Sequence, residues 1–221
     1  MYLANQMQFN LTNRILFEDD YILAINKPAG LMVEPDRNQN PSLLQYVKEY
    51  LKETTNNQFP YAQHLHRLDR AVSGIVLFTK KREVLKNLSE QFAERRVKKF
   101  YRALTSKAPT HFKGRLEHWH RKEKKKAALY THQMEYAEKA ILDYEISEQR
   151  DGYFLWNIQL HTGKYHQIRA QLAGTGCPIL GDVLYGSDTA YLPNTIALQA
   201  WRLVFQHPVR GEQMDLIIKA E

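Results

Sequence analysis

The chain has 221 residues, 43% hydrophobic and 25% charged, which excludes a disordered protein and allows one sizeable core or two small ones. No apolar run reaches the roughly 20 residues that cross a bilayer, and the opening "MYLANQMQFN" lacks the basic-then-apolar order of a secretion signal. Its 31 Lys and Arg against 24 Asp and Glu give a formal charge of +7, suited to a polyanion, RNA or DNA ahead of an acidic membrane, although solubility alone would also explain it.

Taken in chain order, "ILFEDDYILAINKPAG" (15–30) predicts two short strands around an acidic turn, ended by Lys27-Pro28 and a turn at Gly30. "NPSLLQYVKEYL" (40–51) predicts a helix capped by Asn40, with Pro41 in its first turn and Leu44, Val47 and Leu51 at helical spacing. "TTNNQFP" is a polar loop. "HLHRLDRAVSG" (64–74) then sets Asp69 between Arg67 and Arg70 at the mouth of "GIVLFTK" (74–80), an apolar run expected to be a strand buried on both faces. Residues 81–97 return to a helical pattern with Leu85, Leu88 and Phe92 on one stripe. "FYRAL" (100–104) predicts a strand, residues 113–132 carry the basic cluster "HWHRKEKKKAAL", and "YFLWNIQL" (153–160) alternates as a strand does.

"TGKYHQIRAQLAG" (162–174) predicts a helix with Thr162 at its start and Gly174 past its end, and Cys177 follows. That single cysteine cannot close an internal disulfide, which suits a reducing compartment, so the cytoplasm is the expected location. "IALQAWRLVF" and "MDLIIK" supply two last strands. Strands outnumber helices and often adjoin in sequence. The expected fold is therefore α+β, a mixed, largely antiparallel sheet core with flanking helices, in one domain without repeats or linkers.

Nearby positive charge favours the ionised form of a carboxylate, so Asp69 beside Arg67 and Arg70 reads as a nucleophile or base, or else as a loop aspartate in surface ion pairs. His64, His66 and Asp69 could begin a metal site, with His161 and His166 as further ligands, but the neighbouring arginines would repel a divalent cation. Ser73 lacks the G-x-S-x-G turn of a hydrolase nucleophile. "GTGCPILG" fails as a dinucleotide loop, because it follows a helix and Ile179 stands where the third glycine belongs. In "KYHQIRAQL", His166 and Arg169 share a helix face while Ile168 and Leu172 point to the core. Arg169 thus lies near a positive helix start suited to an anion, either a phosphate or a carboxylate such as Asp69. "RRVKKFYRAL" (95–104) mixes five basic residues with Phe100 and Tyr101, the blend that grips phosphates and stacks a base.

Together these stretches resemble the RluA-type RNA pseudouridine synthases. "ILFEDDYILAINKPAGLMV" resembles the family's opening motif, and "HRLDRAVSGIVLFTK" its catalytic motif with the nucleophile at Asp69. "FAERRVKKFYRAL" resembles the motif whose tyrosine, here Tyr101, lies against the target base. "HTGKYHQIRAQLAGTGCPILGDVLYG" resembles the segment whose arginine, here Arg169, pairs with the catalytic aspartate. The likeness runs from about residue 15 to the end. It implies a catalytic domain over 15–221 behind an N-terminal extension, 1–14, too short for the S4 domain that some relatives carry. Val72 and Lys164 depart from the family's usual threonine and arginine.

The resemblance implies an isomerase acting on a uridine of rRNA or tRNA and needing no cofactor; a monomer with no membrane, metal or obligate protein partner is the default expectation. Asp69, Tyr101 and Arg169 would be catalytic. Arg67, His66, Arg70, Arg95, Arg96, Lys98, Lys99, Lys164, His166 and Gln167 would contact RNA, with Arg67 filling the space a flipped base leaves. The competing reading is a non-catalytic RNA-binding module on the same scaffold.

Overall fold

A computed structural model describes residues 9–36, 38 and 40–219, so most of the expected extension lies outside the described residues. From Phe9 onward there is no detached arm: Phe9 packs against Tyr46 at 4.7 Å between ring centres, and Leu11 is buried in the core.

Strands β1 (Ile15–Glu18) and β2 (Ile22–Lys27) pair antiparallel around the acidic turn. The Asp19 carboxylate closes that turn by accepting from the Tyr21 and Ile22 N–H groups, both at 2.9 Å. Helix α1 (Leu43–Thr55) opens at Ser42, not at the expected Asn40. Ser42 and Gln45 exchange a reciprocal pair of backbone–side-chain bonds, which satisfies two helix-end groups at once. Asn40 is instead engaged with Asp36, at 2.7 Å from its side chain.

Strands β3 (Gln63–His64) and β4 (Ser73–Thr79) lead to helix α2 (Arg82–Ala93). The helix is shorter than its periodicity suggested, because Arg95 turns left-handed at φ 60° and Val97 enters the core separately. Its buried stripe is Val84, Leu88 and Gln91, rotated from the expected Leu85, Leu88 and Phe92. Gln91 tolerates burial because its amide exchanges two 3.0 Å bonds with the Gln206 backbone.

Next come β5 (Lys98–Thr105), β6 (Lys113–Glu123), β7 (Lys126–Tyr130), β8 (Glu138–Arg150) and β9 (Tyr153–Leu160). The basic segment left unassigned above forms the β6–β7 hairpin. Helix α3 spans Gln167–Gly174, so it starts five residues after Thr162 and includes Gly174. Strands β10 (Leu198–Gln206) and β11 (Gln213–Ile217) close the chain.

The eleven strands of the described residues join one sheet, whose main path runs β1-β2-β4-β10-β5-β9-β8-β6-β7, with β3 and β11 attached to β4 and β10. Among the named strands of the described residues, only β4 and β10 pair parallel. The α+β expectation therefore holds. Residues alternate across the central strands: Val76 and Phe78 face α1 and α3, while Ile75 and Leu77 face α2, so β4 is buried on both sides as expected.

Gly74 has φ 124°, and a Cβ there would lie 2.3 Å from the Ala200 carbonyl oxygen. The parallel junction of β4 and β10 thus excludes any side chain at this position. Gly74→Ala should destabilise the fold by roughly 2 kcal/mol or more. A thermal melt should show the midpoint falling by about 2–4 °C per kcal/mol. An unchanged midpoint would contradict this packing.

Candidate active site

Asp69 sits in the turn before β4, held by buried neighbours on either side, Leu68 and Val72. Val72, one of the two departures from the family pattern, is a core residue here, and its N–H donates to the Asp69 carbonyl at 3.0 Å. The turn is fastened to the loop after β2: the Gly30 N–H donates to the Arg70 carbonyl at 2.7 Å, and Arg70 Nε returns a 2.9 Å bond to the Gly30 carbonyl. Beneath both, buried Lys27 donates to the carbonyls of Pro28 (3.0 Å), Leu31 (2.8 Å) and Arg70 (3.4 Å).

The charge opposite Asp69 comes from across the molecule. Arg169 Nη1 donates to Asp69 Oδ2 at 2.9 Å, spanning 100 residues of sequence. The flanking Arg67 and Arg70 do not supply it: Arg67 pairs with Glu34, and Arg70 is spent on Gly30. Arg169 is itself clamped from behind by Asp182, through Nε to Oδ2 at 2.7 Å and Nη2 to Oδ1 at 2.9 Å. Burial opposes the charge of Arg169, but its bonds to Asp182 and Asp69 outweigh that and raise its pKa above the ordinary guanidinium value.

Helix α3 is anchored so that Arg169 faces this way. Thr162, expected to cap it, donates instead to Gln167 Oε1 at 2.7 Å and accepts from the Ile141 N–H at 2.9 Å. Gln167 lines the cavity and spends its amide on the Lys164 N–H, the Ile141 carbonyl and Gln171. Ile168 and Leu172 are buried, as their spacing suggested.

A cavity of about 940 Å³ opens over Asp69, lined by Tyr101, Arg169, His166 and Lys164 from one side and by Arg67 and Arg70 from the other. Tyr101 is buried in its wall, and burial together with the charge of Asp69 pushes its phenol pKa up. His66 and Lys99 also line it. His66 accepts from the Leu77 N–H at 3.2 Å and stacks on Phe92 at 5.1 Å; burial, then the charges of Lys99 and His64, depress its pKa to about 3. The ring is therefore neutral where it lines the cavity. Lys164, the second departure, ion-pairs with Glu138 at 2.7 Å. Arg95 and Arg96 on the α2–β5 connection and Lys98 at the start of β5 are exposed outside the cavity. The histidines weighed as metal ligands do not gather: His64 approaches Glu34, His161 pairs with Asp143 at 2.7 Å, and His166 faces Asp69.

Sequence reasoning missed Asp182, Tyr185, Tyr165 and Lys27. The first two stood in the quoted "GDVLYG" without a role. The available signal was an acidic residue in a glycine-bracketed turn downstream of an arginine with five donors and one known carboxylate.

Residues 21–174 match the sequence model of a family described as RNA pseudouridylate synthase. The dual-specificity RNA pseudouridine synthase RluA of Escherichia coli strain K12 is 30% identical over 214 residues, 94% of this chain and 93% of its own. An uncharacterized RNA pseudouridine synthase of Aquifex aeolicus is 31% identical over 230 residues, 93% of this chain and 68% of its own. Among solved structures, human RNA Pseudouridylate Synthase Domain Containing 4 superposes with a TM-score of 0.79 over 96% of this chain and 90% of its own, at 24% identity, a likeness of fold.

Burial, against the opposing charge of Asp69, lowers the Lys27 pKa from 10.5 to about 7. Between those values the unfolded chain holds a proton that the folded chain has released, so this lysine makes stability rise with pH. The unfolding free energy of wild type minus that of Lys27→Met should grow with pH above about 7, approaching about 1.4 kcal/mol per pH unit between roughly pH 8 and 9.5. Urea melts that give a difference independent of pH would refute it; the lost hydrogen bonds shift its level and not its slope.

Proposed function

We infer the roles of the site's residues from one premise: the chain belongs to the RNA pseudouridylate synthase family and isomerises uridine in RNA to pseudouridine. The reaction breaks the bond between N1 of uracil and C1′ of ribose and makes one between C5 and C1′. C5 loses a proton and N1 gains one, so nothing is oxidised or reduced. Asp69 acts on the ribose, either by attack on C1′ or by assisting a glycal route. The single observation that carries this is the Arg169–Asp69 contact of 2.9 Å at the floor of a cavity of nucleotide size.

Arg169 holds the direction of that carboxylate. Tyr101 offers its ring to the uracil, and burial with the charge of Asp69 keeps its phenol protonated before RNA binds. The target base must leave its stack, at a cost of a few kcal/mol. Arg67 enters the vacated space. Its partner Glu34 is a partly exposed residue in a surface pair, a kind of contact worth little and replaceable by RNA. Exposed Arg70, Arg95, Arg96 and Lys98, with Lys99 and Lys164 at the cavity, grip phosphates without reading sequence, and the basic β6–β7 turn adds to them. Of the remaining assignments, His166 is better read beside the carboxylate than on RNA.

The RNA is a structured ribosomal or transfer RNA, bound by a monomer in the cytoplasm. The E. coli relative is named for dual specificity, and a 32% identical relative in Nitrosomonas europaea for the ribosomal large subunit. The basic balance of the chain fits a polyanion of that kind.

Asp69→Asn should keep the fold and RNA affinity but form no product, as read by mass-label mapping of pseudouridine in total RNA. Normal turnover would exclude the proposed role. Arg169→Ala should lose more than tenfold in rate, about 1.4 kcal/mol. A smaller loss in a quenched-flow assay would make the pairing unimportant.

A further inference from the structure

We infer that Asp182 and Tyr185 are positioning residues, which fix from one short turn the two donors that face the Asp69 carboxylate, Arg169 and His166. This rests on the reading of Asp69 given above.

The turn is built for the purpose. Val183–Tyr185 is a single 3-10 turn, whose three-residue repeat sets positions 182 and 185 on one side. It is entered at Gly181, with φ 79°, where a Cβ would lie 2.6 Å from the Thr195 carbonyl oxygen. A side chain there would push the turn away from the site.

Asp182 sets the guanidinium. Its side chain is 1% exposed against 29% for that of Asp69, so the two carboxylates that share Arg169 stand in different surroundings. The buried one takes the Nε–Nη2 edge in a two-point contact, which fixes the plane of the group. Only Nη1 is left to project toward the cavity, and it meets Asp69 Oδ2. An arginine held by Asp69 alone would move with it. Held from behind, it is a fixed donor against which the reacting carboxylate is aimed.

Tyr185 sets the imidazole. Its hydroxyl accepts from the Ala127 N–H at 2.8 Å and lies 3.1 Å from His166 Nδ1. The hydroxyl hydrogen is then free to go to Nδ1, so a neutral ring carries its own hydrogen on Nε2. That nitrogen is 3.5 Å from the same Asp69 oxygen that Arg169 contacts. His166 is held in this pose in the left-handed region, at φ 52°, with Tyr165 stacked on it at 3.8 Å. The Tyr185 ring also covers Arg169, 5.2 Å from the guanidinium carbon.

The test is single-turnover kinetics with enzyme in excess over a uridine-containing substrate RNA, beside RNA affinity by filter binding. With folded enzyme still in saturating excess, a misfolded fraction changes neither the amplitude, which the limiting RNA sets, nor the rate constant. Asp182→Asn should lower the rate constant at least about tenfold with RNA affinity within about twofold, and should add nothing in an Arg169→Ala background, because the pair acts as a unit. Tyr185→Phe keeps the ring over Arg169, removes only the hydroxyl, and should lower the rate constant by about threefold or more. A wild-type rate constant in either variant overturns the inference, as does a loss seen only in RNA affinity. If Asp182→Asn does not fold, Tyr185→Phe decides by the same criteria. An inactive Asp69→Asn beside a fully active Asp182→Asn would remove this inference alone, whereas an active Asp69→Asn would remove the reading beneath it.

Discussion

One guanidinium, that of Arg169, is shared between a buried carboxylate and a partly exposed one, and the geometry of the site follows from that division. A buried charge is costly unless it is paired and hydrogen-bonded. Arg169 meets the condition with three bonds of 2.7–2.9 Å, two to Asp182 and one to Asp69. Because Asp182 occupies one full edge, the group cannot rotate to follow Asp69. The exposed carboxylate is thereby presented to the cavity at a fixed place instead of folding back on its partner.

The sheet makes that meeting possible. Asp69 lies just before β4, and Arg169 lies in α3, which packs on the same face of the sheet as Tyr101 of β5. The parallel junction of β4 and β10 brings β5 close to the Asp69 turn, since β10 pairs with both strands. Lys27 completes the frame from below, tying the Asp69 turn to the loop after β2 through three carbonyls. Catalytic groups far apart in sequence are therefore set by backbone contacts that bear no direct relation to the chemistry.

The elements with strong periodicity were legible in the sequence. β4 read as a doubly buried strand because its apolar run is unbroken, and β9 as a strand because apolar and polar residues alternate from Trp156 to Leu160. β8 was not foreseen, since "EKAILDYEISEQR" carries exposed charges along much of its length and shows only Ala140, Leu142 and Tyr144 as a buried row. The start of α3 was misplaced because Thr162 resembles a helix cap, while its hydroxyl actually serves β8. For the site, Asp69, Tyr101 and Arg169 came from motif resemblance, and the structure brings them to one cavity. Local sequence misled in one respect: the arginines beside Asp69 point elsewhere, and its partner was visible only as a helix arginine 100 positions on. Asp182 was unreadable because a buried ion pair leaves no local pattern; it is a property of a helix and a turn meeting.

The most direct measurement is a structure of the protein with a substrate RNA whose target uridine carries fluorine at C5, which blocks loss of the C5 proton. The present account places the flipped ribose with C1′ within about 3.5 Å of the Asp69 carboxylate, or bonded to it, and the base against the Tyr101 ring. A sugar lying beyond about 6 Å from Asp69, with another side chain at C1′, would contradict it.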